Sequence, residues 1–169
     1  MPKNLKKPLL FTFNVIIFFL ISLLHYSDFL DIKIYGVGTT LLIPLLVSFS
    51  LWNSPLAAAI AGALSGMIMD SSAHGSYCFN AIILLLIGVF VSVTSNTLFN
   101  KNLPSAMVIS LICSVVYYLL QWVIFHTFSE GITYSLSFLL QISLPSALLT
   151  AAFIFPFYYL YKYIEKLKS

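Results

Sequence analysis

Long apolar runs separated by brief polar punctuation organise this chain. The first run extends from about Pro8 to His25 and ends in a polar loop containing Ser27, Asp28, Asp31 and Lys33. The second covers about Tyr35 to Trp52, and Pro44 inside it predicts a kink. Asn53-Ser54-Pro55 then reads as a tight turn. Ser54 is placed to cap a helix, and Pro55 suits its first position, where no backbone N–H is needed. The third run, Pro55 to Asp70, is short for a membrane crossing and is followed by the small, polar loop Ser71 to Ser76. The fourth covers about Tyr77 to Phe99 and closes at Asn100-Lys101-Asn102. Pro104 opens the fifth, which reaches about Phe128, and Ser129 to Thr133 form the next loop. The stretch from Tyr134 to Tyr163 is too long for one upright helix and contains Pro145 and Pro156. It predicts a tilted or broken sixth helix from about Phe138 to Tyr161, preceded by an interfacial turn.

A helix needs about 20 apolar residues to cross the hydrocarbon core of a bilayer. In lipid every backbone polar group must be paired internally, which leaves helices or a closed barrel. These runs are continuous and do not alternate with period two, so helices are expected rather than barrel strands. The expected fold is an all-α integral membrane protein, one domain over residues 1–169 built as a bundle of six transmembrane helices.

Composition strengthens that reading. Hydrophobic residues make up 60% of the chain and charged ones 8%, against about a quarter charged in soluble domains. The net charge is +3, and all eight basic residues are Lys. So few scattered charges, with no Arg for bidentate grip on phosphate, give no nucleic-acid surface. The lysines instead set an orientation. With the N-terminus inside, Lys3, Lys6, Lys7, Lys101, Lys162, Lys166 and Lys168 fall on the cytoplasmic side and Lys33 alone falls outside. This is the asymmetry of the positive-inside rule, and it places both termini in the cytoplasm. Asp28, Asp31, Asp70 and Glu130 then lie outside and Glu165 inside. Tyr158, Tyr159, Tyr161 and Tyr163, beside the last lysines, read as an interfacial belt. Lys3, Lys6 and Lys7 before the first run resemble a signal peptide, but no small-residue cleavage site follows, so a retained helix is expected. Cys78 and Cys113 form no CxxC pair and are expected as buried free thiols.

The most informative stretch is Ala57 to Asp70, AAAIAGALSGMIMD. Gly62, Gly66 and Asp70 recur every fourth residue, so they share one helical stripe, which Ala58 and Ala59 extend. Small residues let helix backbones approach closely in lipid, either within the protein's own bundle or against a partner. A carboxylate at a membrane boundary needs compensation. At the C-terminal end of its helix Asp70 also faces the unfavourable end of the helix dipole. His74, Asn80, Ser71 and Ser72 are the candidates to offset it, and Gly75 would permit the turn into the next span. Asn14, Asn80, Gln121 and Gln141 are the polar residues in or near spans and are expected to hydrogen-bond between helices or to line an outward pocket.

Enzyme chemistry is less well provided for. An aspartyl dyad would need Asp28 or Asp31 beside Asp70. A serine nucleophile would need Ser65 with a base such as His126, yet GALSG lacks the G-x-S-x-G spacing. His25, His74 and His126 have no metal-ligand spacing. The expectation is a non-enzyme with no catalytic residue, metal or cofactor.

The segment GALSGMIMDSSAHGSYCFNAIILLLIGVF resembles the central signature of the rod shape-determining protein MreD family. That pattern is a small-residue helix with two glycines, an Asp at its end, a Gly-containing turn, and an apolar helix with a central Gly. Gly62, Gly66, Asp70, Gly75 and Gly88 match it, while Met67-Ile68-Met69 replaces the leucine common before the acid. The family's short six-helix chain, basic cytoplasmic ends and proline-containing last helix also fit, and its fold is similar to the S-components of energy-coupling-factor vitamin transporters. The resemblance implies a non-catalytic subunit of the bacterial cell-elongation machinery in the cytoplasmic membrane. It also implies partners: an MreC-like membrane protein and the MreB-linked apparatus of peptidoglycan synthesis. An S-component-like substrate-binding subunit of a vitamin uptake transporter is the alternative.

Overall fold

The computed structural model describes residues 12, 15–23, 40–72, 78–97, 101–125 and 139–168, and no strand occurs among them. Helix α1 covers 15–23. It is followed by α2 (Leu42–Trp52), α3 (Pro55–Ser72), α4 (Phe79–Thr97) and α5 (Leu103–Phe125). A π-helical turn at Leu139–Ser143 leads into α6 (Leu144–Ala152) and α7 (Ile154–Lys168).

The punctuation read from the sequence acts largely through local chemistry. Ser54 Oγ accepts the backbone N–H of Ala57 at 3.4 Å, and the Ser54 carbonyl takes the first helical bond, from Ala58 N at 2.9 Å. Ser54 is therefore the N-cap of α3, with Pro55 at the first helical position. The last long stretch is broken, and each proline accounts for one irregularity. A proline ring clashes with the carbonyl four residues earlier. For Pro145 that carbonyl belongs to Gln141, inside the π-helical turn; for Pro156 it belongs to Ala152, where α6 ends. The break is closed by a tighter bond from Phe153 N to Thr150 O at 3.2 Å. Pro44 departs from its expected role. Leu45 N bonds to Leu41 O, and α2 begins at Leu42, so Pro44 lies in the first turn and produces no interior kink.

Helix α2 is the hub. Ten of its eleven residues are buried, and it touches α3, α4, α5, α6 and α7. Phe49 packs against Phe18 of α1 with centroids 5.0 Å apart and meets Tyr161 of α7 at 5.9 Å. Helices α2 to α5 alternate in direction. Thr40, just before α2, bonds Tyr118 near the end of α5, while Trp52 at the end of α2 meets Lys101 just before α5. One end of the bundle thus carries Trp52, Lys101 and Lys162, and the other carries Asp70, Asn80 and Thr40.

The outer faces are apolar. Leu56, Ile60, Leu64 and Met67 of α3 are exposed, as are Ile82, Leu86, Phe90 and Val93 of α4. Two stretches, Leu103–Ile124 and Leu140–Lys166, are long and apolar enough to cross a membrane, and within an 18-residue apolar window of each only 28% and 33% is buried. The tyrosine cluster divides. Tyr158 and Tyr161 turn into the core, whereas Tyr159 and Tyr163 are exposed. Helical spacing puts each pair on its own face, so only the second pair can belong to an interfacial belt.

Candidate functional site: the α3–α4 hairpin

Helices α3 and α4 form an antiparallel hairpin held by backbone-to-backbone approach. A Cβ added at Gly62 would collide with the Leu84 carbonyl oxygen and lie 2.7 Å from its carbon. One at Gly66 would collide with Ala81 Cα and lie 2.5 Å from both Ala81 N and Asn80 O. From the other side, one at Gly88 would lie 2.5 Å from the Ala58 carbonyl oxygen. These obstacles are main-chain atoms, which cannot swing aside as a side-chain tip can. The stripe of Gly62 and Gly66 therefore packs within the protein, against the chain's own next helix, and Gly88 completes the seam. Ser65, also buried, donates its hydroxyl to the Gly62 carbonyl at 3.0 Å.

Asp70 closes the hairpin. Its Oδ1 accepts from Asn80 N at 3.2 Å and Asn80 Nδ2 at 2.9 Å, and its Oδ2 accepts from Ala81 N at 2.9 Å. Cys78 O takes the first helical bond of α4, from Ile82 N at 3.1 Å. Asn80 and Ala81 are thus the second and third helical residues, whose N–H groups have no partner within the helix. A Ser or Asp at the preceding position ordinarily satisfies them. Here that position is Cys78, at φ 60° in the left-handed region, and the carboxylate comes from the neighbouring helix instead. The electrostatic problem posed by the sequence is thereby resolved. Asp70 sits at the negative end of α3 but also at the positive end of α4.

Asn80 passes the network on. Its Oδ1 accepts the hydroxyl of Tyr117 on α5 at 2.7 Å, and Tyr117 and Asn80 are both buried. The adjacent Tyr118 shares 3.1 and 3.3 Å hydroxyl contacts with Thr40 and Thr150. Two neighbouring tyrosines of α5 thus hold opposite sides of the bundle, the hairpin on one and α2 with α6 on the other. Tyr117 is the member that sequence reasoning missed. Its signal was a phenol deep within an apolar span, where its O–H needs a partner.

Of the five signature residues, Gly62, Gly66, Asp70 and Gly88 are brought together, and Gly75 lies outside the described residues, as do His25, His74, His126, Asp28 and Asp31. Among the other polar residues in spans, Asn80 joins helices as expected, while Asn14 also lies outside the described residues. Among the described residues, no three His, Cys, Asp or Glu side chains gather into a metal-binding group. A cavity of about 380 Å³ opens between α1, α2 and α3, lined mainly by apolar side chains including Phe18, Phe49 and Ile60. No family model, curated protein or solved structure matches the chain.

Proposed function

We propose that this chain is a non-catalytic, six-span subunit of the bacterial cell-elongation complex. It lies in the cytoplasmic membrane with both termini inside and binds an MreC-like protein and MreB-linked wall-synthesis partners. The observation that carries the reading is the hairpin. Gly62, Gly66, Asp70 and Gly88, which carry the resemblance to the MreD family, form one closed seam in which each glycine meets main chain and the acid caps the opposing helix. Such a seam makes a rigid platform, and the apolar faces of α3 and α4 turned away from it remain available to lipid or to a partner helix. Membrane residence is supported by the two long apolar stretches and their exposed side chains.

The test is copurification from native membranes. An MreC-like partner should be recovered with the wild-type chain and lost with Asp70→Asn at equal amounts in the membrane. Recovery of no such partner with the wild type sinks the proposal. A second reading, the vitamin-uptake subunit, is favoured by hydroxyls buried in the core without a hydrogen-bond partner among the described residues: Ser48, Ser50 and Ser110. Recovery of an ATPase module with a bound small molecule would select it.

A further inference from the structure

The lysine-bearing end of the bundle holds a second cluster, away from the hairpin seam. Lys101 Nζ lies over the ring of Trp52, 5.3 Å from its centroid, and Lys162 Nζ lies over the ring of Tyr158 at 5.7 Å. Tyr158 joins the two, because its hydroxyl donates to the Lys101 carbonyl at 2.9 Å while its ring, 1% exposed, is fixed in the core. The ammonium groups therefore rest on aromatic faces, and among the described residues neither lysine is ion-paired. Aromatic faces hold a cation in place without neutralising it.

Two further features add to the positive character. The backbone enters α5 at this point, with Ala106 N bonding Asn102 O at 3.0 Å, so the N-terminus of a 23-residue helix begins beside Lys101. The positive end of its dipole favours an anion. The indole N–H of Trp52 is buried with no acceptor among the described residues. Two ammonium groups set on aromatic faces, a helix N-terminus and an indole N–H without an acceptor among the described residues thus lie at one end of the bundle. Glu165 lies a turn beyond Lys162 on α7.

We infer that Lys101 and Lys162, held by Trp52 and Tyr158, form a binding site for a phosphate group. On the membrane reading above, on which this inference rests, the site lies at the cytoplasmic interface. The phosphate can then come from the headgroup of an anionic phospholipid or from solution. Clusters of lysine at that interface attract anionic lipid. This one differs from a solvated lysine patch in having its ammonium groups placed over aromatic rings, one of them the buried ring of Tyr158.

Trp52 provides the readout. In a Trp122→Phe background it is the sole tryptophan, because the chain contains two. The protein is reconstituted in phosphatidylcholine vesicles carrying a minor fraction of brominated phosphatidylglycerol or, separately, brominated phosphatidylcholine. The expected result is stronger quenching by the anionic lipid, with selectivity falling about fivefold for each lysine removed in Lys101→Gln and Lys162→Gln. Lys101→Arg with Lys162→Arg should retain it, which guards against a folding defect in the glutamine variants. Lys166→Gln removes the same charge one turn further along α7, away from the Tyr158 ring that holds Lys162, and should leave selectivity largely unchanged. Inorganic phosphate, added at constant ionic strength, separates the sources. Relief of quenching identifies a site open to soluble phosphate, and quenching that persists with its selectivity identifies the lipid headgroup. Equal quenching by the two lipids, or an equal loss in Lys166→Gln, overturns the inference while leaving the membrane reading intact. Quenching by neither lipid means that Trp52 is not at a membrane, and the membrane reading fails with it.

Discussion

Asp70 does the work of a helix cap from outside the helix it caps, so its replacement has a defined sign. A carboxylate offers acceptors on both oxygens, and here Oδ1 meets the N–H and side-chain amide of Asn80 while Oδ2 meets the N–H of Ala81. In Asp70→Asn one oxygen becomes an NH2 group that must face a donor, and the charge at the N-terminus of α4 is lost. Loss of a capping side chain costs about 1 kcal/mol, up to about 2. The variant should therefore be destabilised by about 1–2 kcal/mol, measured as the denaturant midpoint in mixed micelles. Tyr117→Phe leaves Asn80 Oδ1 without its donor and should cost about 1 kcal/mol. A neutral or stabilised Asp70→Asn would mean that the dipole of α3 outweighs the bonds to α4. The sequence made the need for compensation visible and included Asn80 among the candidates, because a boundary acid and a nearby amide are local facts. It could not show that Tyr117 completes the network. That bond spans 37 residues, and no periodicity encodes which phenol meets which amide.

At the scale of elements, the hairpin seam makes an exposed–buried contrast on a single helix. Glycine to alanine normally favours a helix by about 1 kcal/mol. At Gly66 the added methyl would meet the main chain of Ala81 and Asn80, and overpacking of this kind costs about 1–3 kcal/mol. Gly66→Ala should therefore lower stability despite its better propensity, and Gly66→Leu should part the two helices. Leu64→Ala, on the exposed face of α3, should change stability little in micelles. If Gly66→Ala were stabilising, the helices would have to separate without cost and the seam would not be a constraint. The existence of the helices was largely legible in the sequence, because run length, Ser54-Pro55 and the late prolines act locally. Their assignment to faces was less so. The small-residue stripe left open whether α3 packs inward or against a partner, and only the tertiary fold pairs it with Gly88. Pro44 misled for a related reason: a proline signals a kink or a first turn according to where the helix starts, and α2 starts at Leu42.

For the whole molecule, polarity from end to end is the property that ties the two clusters together. Antiparallel packing collects Trp52, Lys101 and Lys162 at one end and Asp70, Cys78 and Asn80 at the other. If the lysine end is cytoplasmic, as the positive-inside rule requires, then Cys78 lies at the external side. The two cysteines make this testable without added tags, for Cys113 is buried as expected, whereas Cys78, also expected to be buried, stands exposed at the start of α4. In intact spheroplasts a membrane-impermeant maleimide should modify Cys78 and spare Cys113, and Cys78→Ser should abolish the labelling. After permeabilisation the extent at Cys78 should hardly rise, because the site was already accessible. Reporter fusions after Lys101 and after Lys168 should both report cytoplasm. Labelling of Cys78 that requires permeabilisation would invert the bundle, turn the hairpin cap toward the cytoplasm and leave Lys101 and Lys162 facing outward. Partner recovery would then need to be sought on the opposite side, since an acid-capped hairpin and a phosphate-binding lysine pair cannot exchange membrane faces without exchanging what they can meet there.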